Sequence, residues 1–199
     1  RVDKEDPSFK KPSKPIGPFY TKEEADAEAA KDGSTYVEDA GRGYRKVVPS
    51  PMPKEIVEKE AVRALVEADV LTICSGGGGI PVVAEDGQYV GVEAVNDKDF
   101  SARVLAENVD ADRLIILTGV DNIYINYNQP DQKALEQISV AEAEEYIKEG
   151  HFAAGSMLPK IEAALDFVKG DDKRKAIITS IENLENIDKE AGTVISQKG

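Results

Sequence analysis

The chain has 199 residues, enough for one large or two small domains, and 41% of them are hydrophobic, enough to bury a real core. A net charge of −13 argues against a nucleic-acid surface or a seat on an anionic membrane, but leaves room for a local basic pocket that takes a polyanion such as ATP. The single cysteine, Cys74, excludes an internal disulfide and fits a reducing cytoplasm; no apolar run approaches the roughly 20 residues of a membrane span, and no signal peptide is visible.

In chain order, residues 1–53 read as an irregular lobe and linker, and 54–199 as the body of the molecule. The opening at Arg1, in a polar, proline-dotted stretch, reads as the interior of a longer protein. Seven prolines between Pro7 and Pro53 disfavour long regular elements at both ends of the lobe. Between them, Thr21-Lys22-Glu23-Glu24 has the form of a capping box that opens a helix through about Ala30. Thr35–Glu38 and Arg45–Val48 then suit a small hairpin.

Ile56, Val57, Val62, Leu65 and Val66 follow helical spacing. Val70–Cys74 reads as a buried strand, which makes Cys74 a small buried hydrophobe. A hairpin is expected over Asp86-Gly87. Phe100, Val104 and Leu105 mark another helix, and Leu114–Thr118 a second buried strand. Ser139 and Glu142 form a capping box for a helix ending near Gly150. Ile161, Leu165 and Val168 stripe a further helix that stops at Gly170. Ala176–Ser180 and Thr193–Ser196 complete the strands. Helices alternating with short apolar strands imply an α/β fold with a mainly parallel sheet covered on both faces.

The candidate chemistry begins at Gly76, Gly77, Gly78 and Gly79, which follow the 70–74 run directly. Glycine removes every side chain, so backbone N–H groups can approach a phosphate at the end of a strand. A mobile linker is the plainer reading, but a linker seldom has apolar strands on both sides. Asp97-Lys98-Asp99 opens the helix that carries Phe100. Helix capping accounts for Asp97. It accounts poorly for Lys98, because a cation at a helix N-terminus opposes the dipole unless it neutralises a bound anion. Lys160 poses the same question in Gly155-Ser156-Met157-Leu158-Pro159-Lys160, where Ser156 can cap and Pro159 suits the first turn. The plainer reading there is a surface lysine facing water. Two such lysines plus a glycine loop describe a converging site for phosphoryl transfer, which needs fixed positive charge. Lys14 lies between Pro12 and Pro15 on a stiffened backbone. His151, the one histidine, reads as structural. No Walker-type loop, no G-x-S-x-G and no zinc cluster occurs.

Several stretches together resemble the carbamate kinases of the amino-acid kinase family. They are Lys14–Tyr20, Glu38-Asp39-Ala40-Gly41-Arg42-Gly43-Tyr44-Arg45, Gly76–Val82, Asp97–Asp99, Leu117–Val120, Gly150–Lys160 and Gly192–Ile195, in that order along the chain. The resemblance implies a three-layer α/β/α sandwich with a protruding lobe, a cytoplasmic homodimer, and the reversible reaction ATP + carbamate ⇌ ADP + carbamoyl phosphate with Mg2+ carried by the nucleotide, running toward ATP in arginine fermentation. It implies that Lys98 and Lys160 contact the transferring phosphoryl group, that Asp99 orients them and that Lys14 reaches in from the lobe. Gly76 to Gly79, Thr118, Gly119, Val120, Tyr124, Tyr127, Gly155 and Met157 would surround the nucleotide, and no residue is expected to bind a metal directly. The family's opening strand and G-G-N-A loop have no counterpart here, so this chain alone is expected to lack half of the active site and to be inactive. The alternatives are a nucleotide-binding fragment without turnover and another acyl-phosphate or nucleoside-monophosphate kinase of the same superfamily.

Overall fold

The computed structural model describes residues 1–39 and 41–199; Ala40, in the middle of the Glu38–Arg45 motif, lies outside the described residues. In chain order the elements are β1 (Lys14–Tyr20), α1 (Lys22–Asp32), β2 (Thr35–Glu38), β3 (Tyr44–Val48), α2 (Lys59–Glu67), β4 (Val82–Glu85), β5 (Gln88–Gly91), α3 (Lys98–Asn108), β6 (Arg113–Thr118), β7 (Ile123–Ile125), β8 (Lys133–Leu135), β9 (Gln137–Ser139), α4 (Val140–Lys148), α5 (Met157–Lys169), β10 (Lys175–Ser180) and β11 (Thr193–Ser196). They group into two compact units. The first comprises residues 1–57 and 73–98, the second residues 58–72 and 99–199.

The first unit is built on an antiparallel sheet of order β1-β3-β2, flanked by α1. The expected capping box is present: Thr21 Oγ1 accepts from the Glu24 N–H, and Glu24 answers to the Thr21 N–H. Gly33 then takes the left-handed C-cap at φ 70. β1 corrects the expectation that prolines keep this stretch irregular, because it carries both Pro15 and Pro18. It is tolerated as an edge strand, where a missing N–H faces no partner, and its pairing slips between Ile16 and Tyr20. Asp39 draws Arg42 and Arg45 together at 3.4 and 3.2 Å. Both guanidinium groups lie over the Phe19 ring, at 4.7 and 5.1 Å from its centre. The two lobe motifs, Lys14–Tyr20 and Glu38–Arg45, thus lock each other. The β4–β5 hairpin turns through Asp86 and Gly87, both at positive φ, as that dipeptide predicts.

The strand expected at 70–74 does not form. Leu71 and Ile73 are 95% and 96% exposed, and Cys74 is half-buried rather than a core residue. An apolar run becomes a strand only when a neighbouring strand takes its N–H and C=O groups, and among the described residues none pairs with this one.

The second unit holds the sheet β6-β10-β11-β9, with β6/β10 and β9/β11 parallel and β10/β11 antiparallel. α5 packs on β10, β11 and β6, and α4 on β9, β11 and α5. Ile161, Leu165, Phe167 and Val168 of α5 are buried against Leu114, Ile116, Ile178 and Ile195 of the sheet. On the opposite face Ile115, Ile177 and Val194 sit side by side in register. Ile177 is fully buried there, whereas Ile115 is 40% exposed. β6 is therefore an edge strand with one half-open face, not the fully buried strand its composition suggests. α4 starts with the expected Ser139/Glu142 capping box. α2 begins only at Lys59, so Ile56 and Val57 precede it.

Candidate functional site

In the first unit the Gly76–Gly79 loop turns back on itself. The Gly76 N–H bonds to the Cys74 carbonyl at 2.7 Å, and the Gly78 and Gly79 N–H groups share the Ser75 carbonyl at 2.8 and 2.6 Å. Ser75 itself sits at φ 61, a left-handed conformation that non-glycine residues seldom adopt. Glycine is required at Gly78: its φ is 131, and a Cβ there would lie 2.5 Å from the Asn96 carbonyl oxygen. A Cβ at Gly76, Gly77 or Gly79 would meet open space, so these three are free of side chains without being crowded.

Asn96 leads into Asp97, and here the lobe's lysine arrives. Lys14 Nζ lies 2.5 Å from Asp97 Oδ2, and the pair is partly buried. Pro15 follows on β1, whose pairing of Lys14 with Val48 sets the stem of that side chain. Lys98 is the exposed first residue of α3.

In the second unit Asp99, 7% exposed, accepts a 2.7 Å hydrogen bond from Lys160 Nζ. The side chains of both are nearly covered, at 9% and 13%. Lys160 lies in the first turn of α5, where Met157 to Pro159 precede it on the helix. Ser156 occupies the position before that helix but makes no capping hydrogen bond, its φ and ψ of −143 and −67 turning the side chain away from that role. An ammonium at the positive end of a helix is disfavoured by the dipole. Here a buried carboxylate offsets that, which a solvated surface lysine would not need.

The nucleotide candidates fall at two places in the second unit. Thr118, Gly119 and Val120 lie at the carboxyl end of β6, the end where open α/β sheets bind ligands. Tyr124 and Tyr127 stand on and after β7 with their rings 6.0 Å apart, Tyr127 exposed. Gly155 and Met157 flank the start of α5, Gly155 with open space where a Cβ would be. The sheet end is pinned by side chains the sequence does not advertise. Ser180 Oγ donates to Asp121 Oδ1 at 2.5 Å, tying the ends of β10 and β6. Buried Thr193 takes the Ile123 N–H at 2.8 Å and donates to the Leu135 carbonyl, fixing the β7–β8 hairpin. A cleft of about 890 Å³ opens beside this region. Asp121, Glu136, Glu142 and Glu190 outnumber Lys133 and Lys189 around it, so it does not suit a polyphosphate. His151 is held by the Asn126 N–H and Glu149 and packs edge-on to Tyr146, a structural placement. Among the described residues no three His, Cys, Asp or Glu side chains come together as a metal site, and no helix is long and apolar enough to cross a membrane.

The amino acid kinase family model matches residues 21–180. The chain belongs to the amino acid kinase family. It is 56% identical over 198 residues to carbamate kinase 1 of Enterococcus faecium, covering 98% of this chain and 63% of that protein. It is 57% identical to the carbamate kinase of Clostridium perfringens, over 92% of this chain and 58% of that one. Among solved structures, the Giardia lamblia carbamate kinase bound to AMP-PNP superposes with a TM-score of 0.85 at 46% identity, over 98% of this chain and 62% of its own. The form of that enzyme bound to citric acid gives 0.89 at 44%. The chain thus has the mixed α/β architecture of the family and spans about three fifths of the length of the curated relatives it matches.

Proposed function

We propose that the protein carrying this chain is a carbamate kinase: it moves a phosphoryl group reversibly between ATP and carbamate. In the ATP-forming direction an ADP β-phosphate oxygen attacks phosphorus, the P–O bond to the carbamoyl group breaks, and carbamate leaves with that electron pair. The observation that carries the reading is the pairing around Asp97-Lys98-Asp99. Each flanking carboxylate holds one distant lysine, Lys14 at 2.5 Å and Lys160 at 2.7 Å, as a fixed cation. Phosphoryl transfer depends on such pre-set positive charge more than on covalent chemistry.

In this proposal Lys98 and Lys160 meet the transferring group, Asp99 positions Lys160, and Lys14 serves the acceptor end. Gly76 to Gly79, Thr118 to Val120, Tyr124, Tyr127, Gly155 and Met157 serve the nucleotide. The AMP-PNP held by the Giardia enzyme supports a nucleoside triphosphate as ligand. Magnesium would arrive on the nucleotide phosphates, the usual mode for an ion that dehydrates reluctantly. We further place the protein in the cytoplasm as a homodimer, working toward ATP at the end of arginine fermentation. The whole protein, given ADP, carbamoyl phosphate and magnesium, should form ATP; ADP binding with no ATP above background would leave a nucleotide-binding module instead.

A further inference from the structure

We propose that His151 is a positioning residue for the nucleotide: it holds the backbone at Asn126 and so sets the place of the Tyr127 ring before the ligand arrives. The inference rests on the proposed assignment of Tyr124 and Tyr127 to the nucleotide. The histidine itself is firmly seated. It follows α4 through Gly150, at φ 79, and precedes Phe152, which is buried in the core. Its own N–H donates to the Tyr146 carbonyl at 3.2 Å, and its ring packs edge-on to the Tyr146 ring with centres 5.8 Å apart. Its Nδ1 accepts the Asn126 N–H at 3.4 Å. A neutral imidazole accepts at one nitrogen and donates from the other, so the proton sits on Nε2, where Glu149 Oε2 takes it at 3.0 Å. Glu149 thus keeps the ring in the tautomer that can receive the Asn126 N–H.

Asn126 begins the turn between β7 and β8. Asn126 and Asn128 are both left-handed, at φ 52 and 62, a conformation that asparagine tolerates better than most residues. The Gln129 N–H closes the turn on the Asn126 carbonyl at 2.9 Å, Asn126 Nδ2 donates to Asp131 Oδ2 at 2.7 Å, and the Asn128 N–H donates to Gln132 Oε1 at 2.8 Å. These bonds fix the shape of the turn from within, whereas His151, 25 residues on, ties it to the loop that leads to Gly155 and Met157. Tyr124 is placed by β7, which pairs it with Ala134. Tyr127 lies beyond that strand, between the two left-handed residues, 53% exposed and with its ring 6.0 Å from that of Tyr124. The direction in which it leaves the chain therefore follows from the backbone at Asn126. A side chain already in place loses less freedom on binding, which tightens the complex. His151 acts through that backbone without touching the nucleotide.

Two variants of the whole protein test this. His151→Leu removes the acceptor, and His151→Asn puts an amide oxygen close to where Nδ1 stood. The Kd for ADP, read by calorimetry, should rise about two- to tenfold in His151→Leu, the worth of one hydrogen bond, and most of that loss should be restored in His151→Asn. The KM for carbamoyl phosphate should stay put in both. Unchanged ADP affinity in His151→Leu, or His151→Asn as weak as His151→Leu, would mean that the ring only fills space, and would overturn the proposal. Residue-resolved hydrogen exchange on the wild type needs no variant. The Asn126 amide should be protected without nucleotide and change little when ADP is added. An Asn126 amide that exchanges freely until ADP arrives would show a turn that is not set in advance, and would overturn the proposal too. Wild type that binds ADP with this dependence on residue 151 yet forms no ATP would refute the kinase reading alone, whereas wild type that binds no ADP would overturn both.

Discussion

Cutting the Asp99–Lys160 pair should be costly when one partner is removed and much less so when both are. The two charges lie 2.7 Å apart with side chains 9% and 13% exposed. At an effective dielectric of about 20 their attraction is about 6 kcal/mol, most of it offset by the several kcal/mol that each ion loses on leaving water. The intact pair therefore contributes little net stability. Removing one partner is different, because the survivor keeps its desolvation and loses the attraction of the partner removed. Asp99→Ala and Lys160→Met should each destabilise by about 3–5 kcal/mol, and the double variant by no more than either single change, a coupling of at least about 3 kcal/mol. Urea unfolding of the four proteins in the cycle measures this. Single changes below about 1 kcal/mol that simply add would refute the claim that this is a desolvated, mutually compensating pair. Asp99→Asn separates stability from chemistry: it keeps the volume but no longer fixes the ammonium, so turnover should fall more steeply than the melting temperature.

Lys160→Ala should lower kcat by about 10²–10³ while leaving nucleotide affinity within a few-fold, as loss of one transition-state contact does; near-normal turnover would remove Lys160 from the chemistry. Thr193→Val keeps the shape of a fully buried residue but leaves the Ile123 N–H and Leu135 carbonyl unpaired, so the protein should lose about 2–5 kcal/mol in urea, against about zero if the hydroxyl is incidental. Asp32 is held down to about 2 by the Ser34 N–H and by Lys46, which ties α1 to β3. Its folded-state value is depressed, so its contribution is present above the ordinary 3.8 and lost as pH falls through about 2. The stability gap between wild type and Asp32→Asn should close across that window, and a gap that stays constant through it would contradict the assignment.

Features written into a few adjacent residues were legible. Both capping boxes, Thr21/Glu24 and Ser139/Glu142, form as the spacing demands, because each is closed within four residues. The Asp86-Gly87 turn follows for the same reason. What failed were statements about partners. Val70–Cys74 has the composition of a buried strand, yet composition cannot supply the neighbour that would bury it. β1 was hidden by its prolines, since only the finished sheet reveals that the strand lies at an edge. Of the site, Lys14, Lys98, Asp99 and Lys160 were singled out from helix-start chemistry and resemblance, but the partners of Lys14 and Lys160 lie 83 and 61 residues away. Asp97 read as no more than a cap. Thr193 gave no signal, because a polar side chain announces nothing about its burial.

The order Asp97-Lys98-Asp99 explains why three such residues stand together. The division between the two compact units falls between Lys98 and Asp99. Each acid anchors a lysine of its own unit, Asp97 holding Lys14 in the first and Asp99 holding Lys160 in the second. Neither cation could be held as firmly by a solvated carboxylate, since a surface ion pair is screened and spends side-chain entropy on one geometry. Partial burial of both acids converts two flexible lysines into fixed charges. Lys98 stands between the two acids as the first residue of α3. If that division of labour is right, the three lysines should respond differently to the same change. Arginine at position 160 would have to fit a planar guanidinium against Asp99 in a space that is 13% exposed, and should lose most activity. Arginine at 98, on an exposed helix start, should bind nucleotide with near-normal affinity and fail only in turnover. Equal loss of nucleotide binding in both variants would mean that the anchoring carboxylates, and not the helix starts, play no part in setting these charges.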